Sequence, residues 1–253
     1  MKSIPLLTLA AIPCLIWGAM ADEPDKKKAV TEVDDPFSEA AEAERARPAP
    51  CGVGLIFEWI ELDHRAANKL IRKHATQIRA DKLRDVLEKM LDEKKAELVE
   101  TAYLVSTKNQ RARVESVDEH IYPTEYDAPE IPQKIHKDIP LDQIPVSPAN
   151  PTAFETRNVG TNVEAEAVIS PSGDVIDLNL APEIVQHLGN RTIGDPKTLH
   201  AALAHVYQPD FYVMKIQTNL ALHNGSHTLV SLFTPAGKKD KRVMLLVRAN
   251  VLY

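Results

Sequence analysis

The 253-residue chain has only nine glycines and two cysteines, and its 30 lysines and arginines are outnumbered by 36 aspartates and glutamates. Glycine at about 7% is usual, so glycine-rich and collagen-like architectures are excluded. The net charge of -6 leaves no basic surplus for phosphate neutralisation, which argues against sequence-general nucleic-acid binding. Aromatic residues make up only 5%, and none interleave with the basic groups at Arg111–Arg113 and Lys238–Arg242 as base stacking would require. Signature motifs of catalysis are missing too: there is no GxSxG elbow, Walker loop or GxGxxG turn. No enzyme, cofactor or metal is therefore expected.

One long apolar run is present, at the start. Lys2, the uncharged stretch Ile4–Gly18 and Ala19-Met20-Ala21 fit a secretory leader with a small-x-small cleavage site. The run is shorter than the roughly 20 residues that span a bilayer and contains Pro5 and Pro13. Export is expected, with residues 1–21 removed. Cys51 is then the only thiol left, so no internal disulfide forms; it is buried, free or paired between chains, burial being the simplest reading. Residues 22–52, rich in Asp, Glu, Lys, Ala and Pro, read as a disordered linker.

Beyond the linker the hydrophobic period changes twice. Val53–Leu62 (VGLIFEWIEL) places apolar residues on both faces of a period-two pattern, predicting a strand covered on each side. Asp63 is an N-cap residue, and Ala67, Leu70, Ile71, His74 and Ile78 recur at helical spacing, predicting a helix over 64–78. Leu83, Val86, Leu87, Met90 and Leu91 predict a second over 80–95. From there the pattern alternates. Leu98–Thr107 and Arg111–Ile121, separated by Lys108-Asn109-Gln110, predict a hairpin. Seven prolines between Pro123 and Pro151 predict an extended, irregular excursion, since each lacks an N–H and fixes its own φ. Val163–Ile169 and Val175–Leu180 flank a Ser-Pro-Ser-Gly-Asp turn. A long connection through Gly189, Gly194 and Pro196 then leads to the strand Phe211–Leu222, an Asn224-Gly225 hairpin turn, Thr228–Phe233 and Val243–Leu252. The units are thus 53–96, strand-helix-helix, and 97–253, a mostly antiparallel β domain; the fold class is α+β.

Three groups of residues were weighed for chemistry. His223 and His227, with His200 and His205, form no ligand cassette, because no cysteine pair or HExxH helix accompanies them. Glu164 and Glu166 share one strand face and are more simply a solvated face than an acid-base pair. His74 on the apolar stripe reads as a core histidine.

The runs Thr107–Glu115 (TKNQRARVE) and His120–Pro132 (HIYPTEYDAPEIP) resemble a segment of secretin-like proteins of the type II and III secretion families. Val159–Glu164, Ile169–Gly173 and Ile176–Glu183 resemble that family's strand, turn and strand. Pro209-Asp210-Phe211, the strand to Leu222, Asn224-Gly225 and Arg242–Ala249 follow in the same order. The resemblance covers 97–253 and is less specific over 53–95. It implies a reduced, non-enzymatic secretin-domain protein of the periplasm or outer membrane, part of a protein-secretion channel or assembling on one, whose partners are further copies of itself or secretion-system components. The chain departs from the family in lacking glycine over Leu229–Phe233 and in lacking the large ring-forming N-terminal modules. Tyr253, Val251, Ala249, Val247 and Leu245 alternate on one face, as in the last strand of an outer-membrane barrel or, more simply, of a soluble sheet. Glu164, Glu166, Lys215 and Gln217 interrupt the apolar faces that lipid-facing strands need, which argues against a closed barrel from one copy. The alternative is a periplasmic scaffold module whose proline-rich segment presents Tyr122, Pro123, Tyr126, Pro129, Ile131 and Pro132 to a protein partner.

Overall fold

In the computed structural model, strand β1 (Gly52–Asp63) is buried along both faces, as its doubly apolar pattern predicts. It sits between β2 (Ala96–Thr107) and β9 (Lys241–Leu252), both antiparallel to it, and β8 (His227–Phe233) completes a four-stranded sheet in the order β2-β1-β9-β8. The structure describes residues 48–74, 79–130, 133–134, 138, 140, 147–193 and 206–253; the leader and nearly all of the linker lie outside them. Residues 53–96 share this sheet with the last strand of the chain.

Helices α1 (His64–His74) and α2 (Asp81–Asp92) cover one face of the sheet. The Asp63 carboxylate caps α1 as expected, accepting the amides of Arg65 at 2.8 Å and Ala66 at 3.3 Å. Ala67 from α1 and Leu83 and Leu87 from α2 meet Ile60, Leu62, Met244 and Leu246 of the sheet. His74 is buried on this side. The predicted continuation of α1 through residues 75–78 lies outside the described residues.

The second sheet has the order β3-β4-β5-β6, built from β3 (Arg111–Asp127), β4 (Asn150–Ile169), β5 (Val175–Ile193) and β6 (Val206–Lys215). Strand β7 (Thr218–His223) continues β6 along the same edge of β5, in unbroken register from Lys215 opposite Glu183 to His223 opposite Val175. Between the two sheets lies the larger core. Val53, Leu55, Phe57 and Trp59 of β1 and Val243, Leu245, Val247 and Ala249 of β9 interdigitate with Val163, Ala165, Ala167, Ile176, Leu178, Ile184 and Leu222. The layers are therefore helices, first sheet, second sheet. Burying side chains the size of Phe57 and Trp59 contributes about 2 to 3 kcal/mol each.

Several sequence expectations are corrected. The two predicted hairpin turns join different sheets. Lys108-Asn109 hands the chain from β2 to β3, yet β2 pairs with β1 and β3 with β4. Asn224-Gly225 hands it from β7 to β8, yet β7 pairs with β5 and β8 with β9. Both turns use the left-handed backbone, φ 59° at Asn109 and 76° at Gly225, but their amides bind strands already placed: Asn109 N–H donates to Ala167 O and Gly225 N–H to Ala249 O. Pro123 and Pro151 lie inside β3 and β4 rather than in the excursion. Pro123 falls where the register shifts on an edge strand, a place that tolerates a missing N–H. Gly189, expected in a connection, lies within β5, where a bulge at φ 122° keeps the ladder with β6 running. Cys51 is exposed, not buried; its amide bonds Leu252 O before β1 begins. The apolar face of β9 is the wall of the inter-sheet core, with β1 and β8 on either side of the strand.

Candidate assembly surface

The second sheet changes character halfway along. In its proximal half, β4 and β5 pair from Ile169 opposite Ile176 to Gly160 opposite Val185, and the inner face is dry. Beyond that point the long hairpin β3–β4 runs on from Gly160 to Asn150 opposite Asp127, while β5 runs on with β6 to Ile193 opposite Val206. Among the described residues no ladder joins β4 to β5 past Gly160 and Val185, so two hairpins leave the body separately.

Gly160 sits at the fork. Its φ is 131°, and a Cβ there would lie 2.2 Å from Ser116 O. Only glycine fits both the conformation and the close approach.

The two hairpins meet again through side chains. His120 and Tyr122, two apart on β3, reach His187 of β5 and Phe211 of β6. Ring centroids are 4.4 Å apart for His120 and His187, 5.7 Å for His120 and Phe211, and 5.6 Å for Tyr122 and Phe211. His187 Nε2 lies 3.0 Å from Asn190 Oδ1, which accepts its proton. Tyr122 Oη donates to Glu155 at 3.2 Å, and burial together with that carboxylate holds the phenol above its usual pKa. Nearer the tips, Tyr126 Oη donates to Tyr207 O at 3.3 Å.

The six residues singled out in the sequence are therefore not one exposed patch. Tyr122, Pro123 and Tyr126 are half-buried strand residues, and Tyr122 and Tyr126 are engaged with the other hairpin. Pro129 is half-buried just beyond β3, and Ile131 and Pro132 lie outside the described residues. The excursion is closed at its feet: Glu130 N–H donates to Ser147 Oγ at 2.9 Å, and Ser147 N–H to Glu130 O at 3.1 Å. His120, His187 and Phe211 were missed in the sequence. The only signal was His120-x-Tyr122 on one strand face, which does not say what it will meet.

Ile121 and Phe154 on one hairpin and Leu188, Ile193, Tyr207 and Val213 on the other are exposed, as are Leu98, Val99, Tyr103 and Val105 along β2. The outer face of the proximal sheet is polar. Arg111 bridges Glu164 at 3.0 Å and Glu166 at 3.7 Å, which makes those carboxylates a charge ladder. They border a shallow groove of about 360 Å³ that also contains Asn179 and Asn219. Elsewhere His227 Nδ1–H donates to Asp81 at 3.0 Å instead of pairing with His223. Burial pushes the Asp81 carboxyl up, but the His227 amide and imidazole and the Ser226 hydroxyl outweigh it and hold the group below its ordinary value. Lys238, expected at a solvated tip, donates to the buried Glu61 carboxylate at 2.9 and 3.0 Å; Glu61 raises its pKa. Among the described residues no three His, Cys, Asp or Glu side chains converge as metal ligands, and no helix is long and apolar enough to cross a membrane.

No protein-family model matches the sequence, and no curated protein matches it either. Solved secretin structures are similar to it. The InvG secretin domain β-barrel of the Salmonella injectisome is 11% identical, with a TM-score of 0.42 over 86% of this chain and 67% of that one. The type II secretin GspD of enteropathogenic Escherichia coli is 11% identical, with a TM-score of 0.37 over 88% of this chain and 75% of that one. The V. cholerae type IV competence pilus secretin PilQ is 9% identical, with a TM-score of 0.40 over 87% of this chain and 66% of that one. At scores of this size no residue role passes from those chains to this one.

Proposed function

We propose that the protein is a non-enzymatic, exported secretin-like component of an outer-membrane protein-secretion channel, or an accessory that assembles on one, and that it works as an oligomer. The fork at Gly160 is the observation that carries this reading. It leaves the β4 edge over 150–159 and the β5 edge over 187–193 without a ladder partner among the described residues, on hairpins that also expose Ile121, Phe154, Leu188 and Ile193. Long open edges beside apolar side chains template pairing with another chain, and head-to-tail pairing of identical copies closes into a ring. Exported cells are the place to test it: fractionation into periplasm, inner and outer membrane, followed by native sizing with and without crosslinker, should find a multi-copy species in the outer-membrane fraction. A strictly monomeric periplasmic species at every concentration rejects the proposal.

A second reading is favoured by the pinned feet of the excursion. The Glu130–Ser147 pair brings the two ends of the proline-rich segment together, which suits recognition of a protein partner through Pro129, Ile131 and Pro132. Deleting 131–146 while keeping Glu130 and Ser147 should abolish partner capture and leave the fold's melting transition in place; unchanged capture rejects it.

A further inference from the structure

The ring cluster between the hairpins is held by two histidines in contact, their rings tilted 36° to one another, a pairing that is sound only while at least one imidazole is neutral. We propose that His120 and His187 form an acid-released clasp: at neutral pH their rings, with Phe211 and Tyr122, hold the distal β3–β4 hairpin against the distal β5–β6 hairpin, and protonation of both separates the two. The inference rests on the cluster itself and stands whether or not the protein assembles on a channel.

The geometry is specific. The centroids of His120 and His187 are 4.4 Å apart, closer than either is to Phe211, so two imidazolium charges would be in direct contact. Asn190 Oδ1 takes the Nε2 proton of His187, which leaves Nδ1 to accept the next one. The charged neighbours on each strand do not cancel a second positive charge. On β3, Asp118 lies two residues from His120 and the Tyr122 phenol is neutral. On β4, Arg157 stands directly opposite His120 and Glu155 opposite Tyr122. Glu155 is occupied by the Tyr122 hydroxyl, and Arg157 reaches Glu183 at 3.4 Å. Beside His187, Arg191 of β5 and Asp210 of β6 pair with one another at 2.9 Å. Arg157 thus adds a like charge opposite His120; Glu155 and Asp210 already have partners, and the single carboxylate of Asp118 can offset one of the two imidazolium charges, not both. Histidine is the side chain that titrates across this range, and like charges at close approach disfavour one another. Besides the rings, Tyr126 Oη donates to Tyr207 O near the tips, and Arg157 of β4 reaches Glu183 of β5 nearer the fork.

Amide hydrogen exchange on the full-length protein tests the clasp. After correction for intrinsic rates, protection over 118–127 and 206–211 should fall about tenfold between about pH 7.5 and about pH 5.5, with the proximal strands unchanged. The His120→Phe/His187→Phe double variant keeps flat rings without a titrating nitrogen and should hold its protection across the same range. The single His187→Gln variant, which cannot carry the second charge, should do likewise if the double variant folds poorly. An acid response that persists in these variants, where His223 and His227 remain, or a wild-type protein whose hairpins show no acid response, overturns the proposal.

Discussion

Gly160 and Gly189 share almost the same backbone, φ 131° and 122°, but their surroundings differ completely. A Cβ at Gly160 would strike Ser116 O at 2.2 Å, whereas nothing lies within 4 Å of one at Gly189. Gly189→Ala should cost about 1 to 2 kcal/mol from conformation alone. Gly160→Ala should cost distinctly more, about 3 kcal/mol or above, because the β3–β4 backbones must also part. Urea denaturation of both variants measures the difference, and equal losses would mean that the close approach adds nothing. The second residue pair to probe is Glu58 and Arg84. Arg84 Nε and Nη2 donate to the two carboxylate oxygens at 2.8 and 2.9 Å, with Glu58 only 9% exposed. Glu58→Ala leaves Arg84 with the more exposed Glu88 as its partner and should destabilise by about 2 kcal/mol, while Glu58→Leu/Arg84→Met should recover most of that. Asp81 carries a pH dependence. Its carboxyl lies below its ordinary value in the folded protein, so its contribution is present above the unfolded-state value near 3.8 and is lost as pH falls through the lower folded one. Asp81→Asn should therefore lose up to about 1 kcal/mol at neutral pH and show a shallower acid decline in denaturation midpoints than the wild type.

At the scale of elements, periodicity predicted nearly every strand and both helices, because each buries an apolar face against the body and the pattern follows from that burial. Which strand pairs with which was not legible. A short turn with a left-handed residue reverses the chain whether it closes a hairpin or crosses between layers. Asn109 and Asn224-Gly225 do the second, since Ala102 and Leu104 of β2 and Ala112 and Val114 of β3 fill the inter-sheet core from opposite sides. Asn224 is part of the crossing: its Oδ1 accepts the Val251 amide at 2.9 Å and its own amide donates to Asp174 O. Asn224→Ala should cost about 1 kcal/mol and raise amide exchange at Val251 ahead of the rest of β9, which hydrogen exchange read by NMR would detect. Uniform exchange along β9 in the variant would count against this role. Proline was informative in a narrower way than its number suggested: Pro123 sits at a register shift on the edge strand β3, and Pro151 of β4 lies opposite Tyr126 beside the second shift, where a missing N–H is tolerated.

Two cores stack on opposite faces of one sheet, and the half of the second sheet that extends past them is held chiefly by the ring cluster between its two hairpins. That division explains the candidate site. Its members His120, Tyr122, His187 and Phe211 are spread over 92 positions of the chain, and no spacing rule links them. The proximal half was legible because burial writes a repeating pattern. The distal half was not, because its strands are polar on most of their surface and are defined by what they approach.

Composition, the apolar run at residues 4–18, the Asp63 cap, both helices and the alternating strands follow from the amino-acid sequence alone, because each depends on neighbours within a few residues. Sheet membership, the exposure of Cys51, the fork at Gly160 and the meeting of His120 with His187 were decided only by tertiary structure. Each requires two segments remote in the chain to be brought within a few ångströms, and it is the shape of the buried core between the sheets that selects which segments those are.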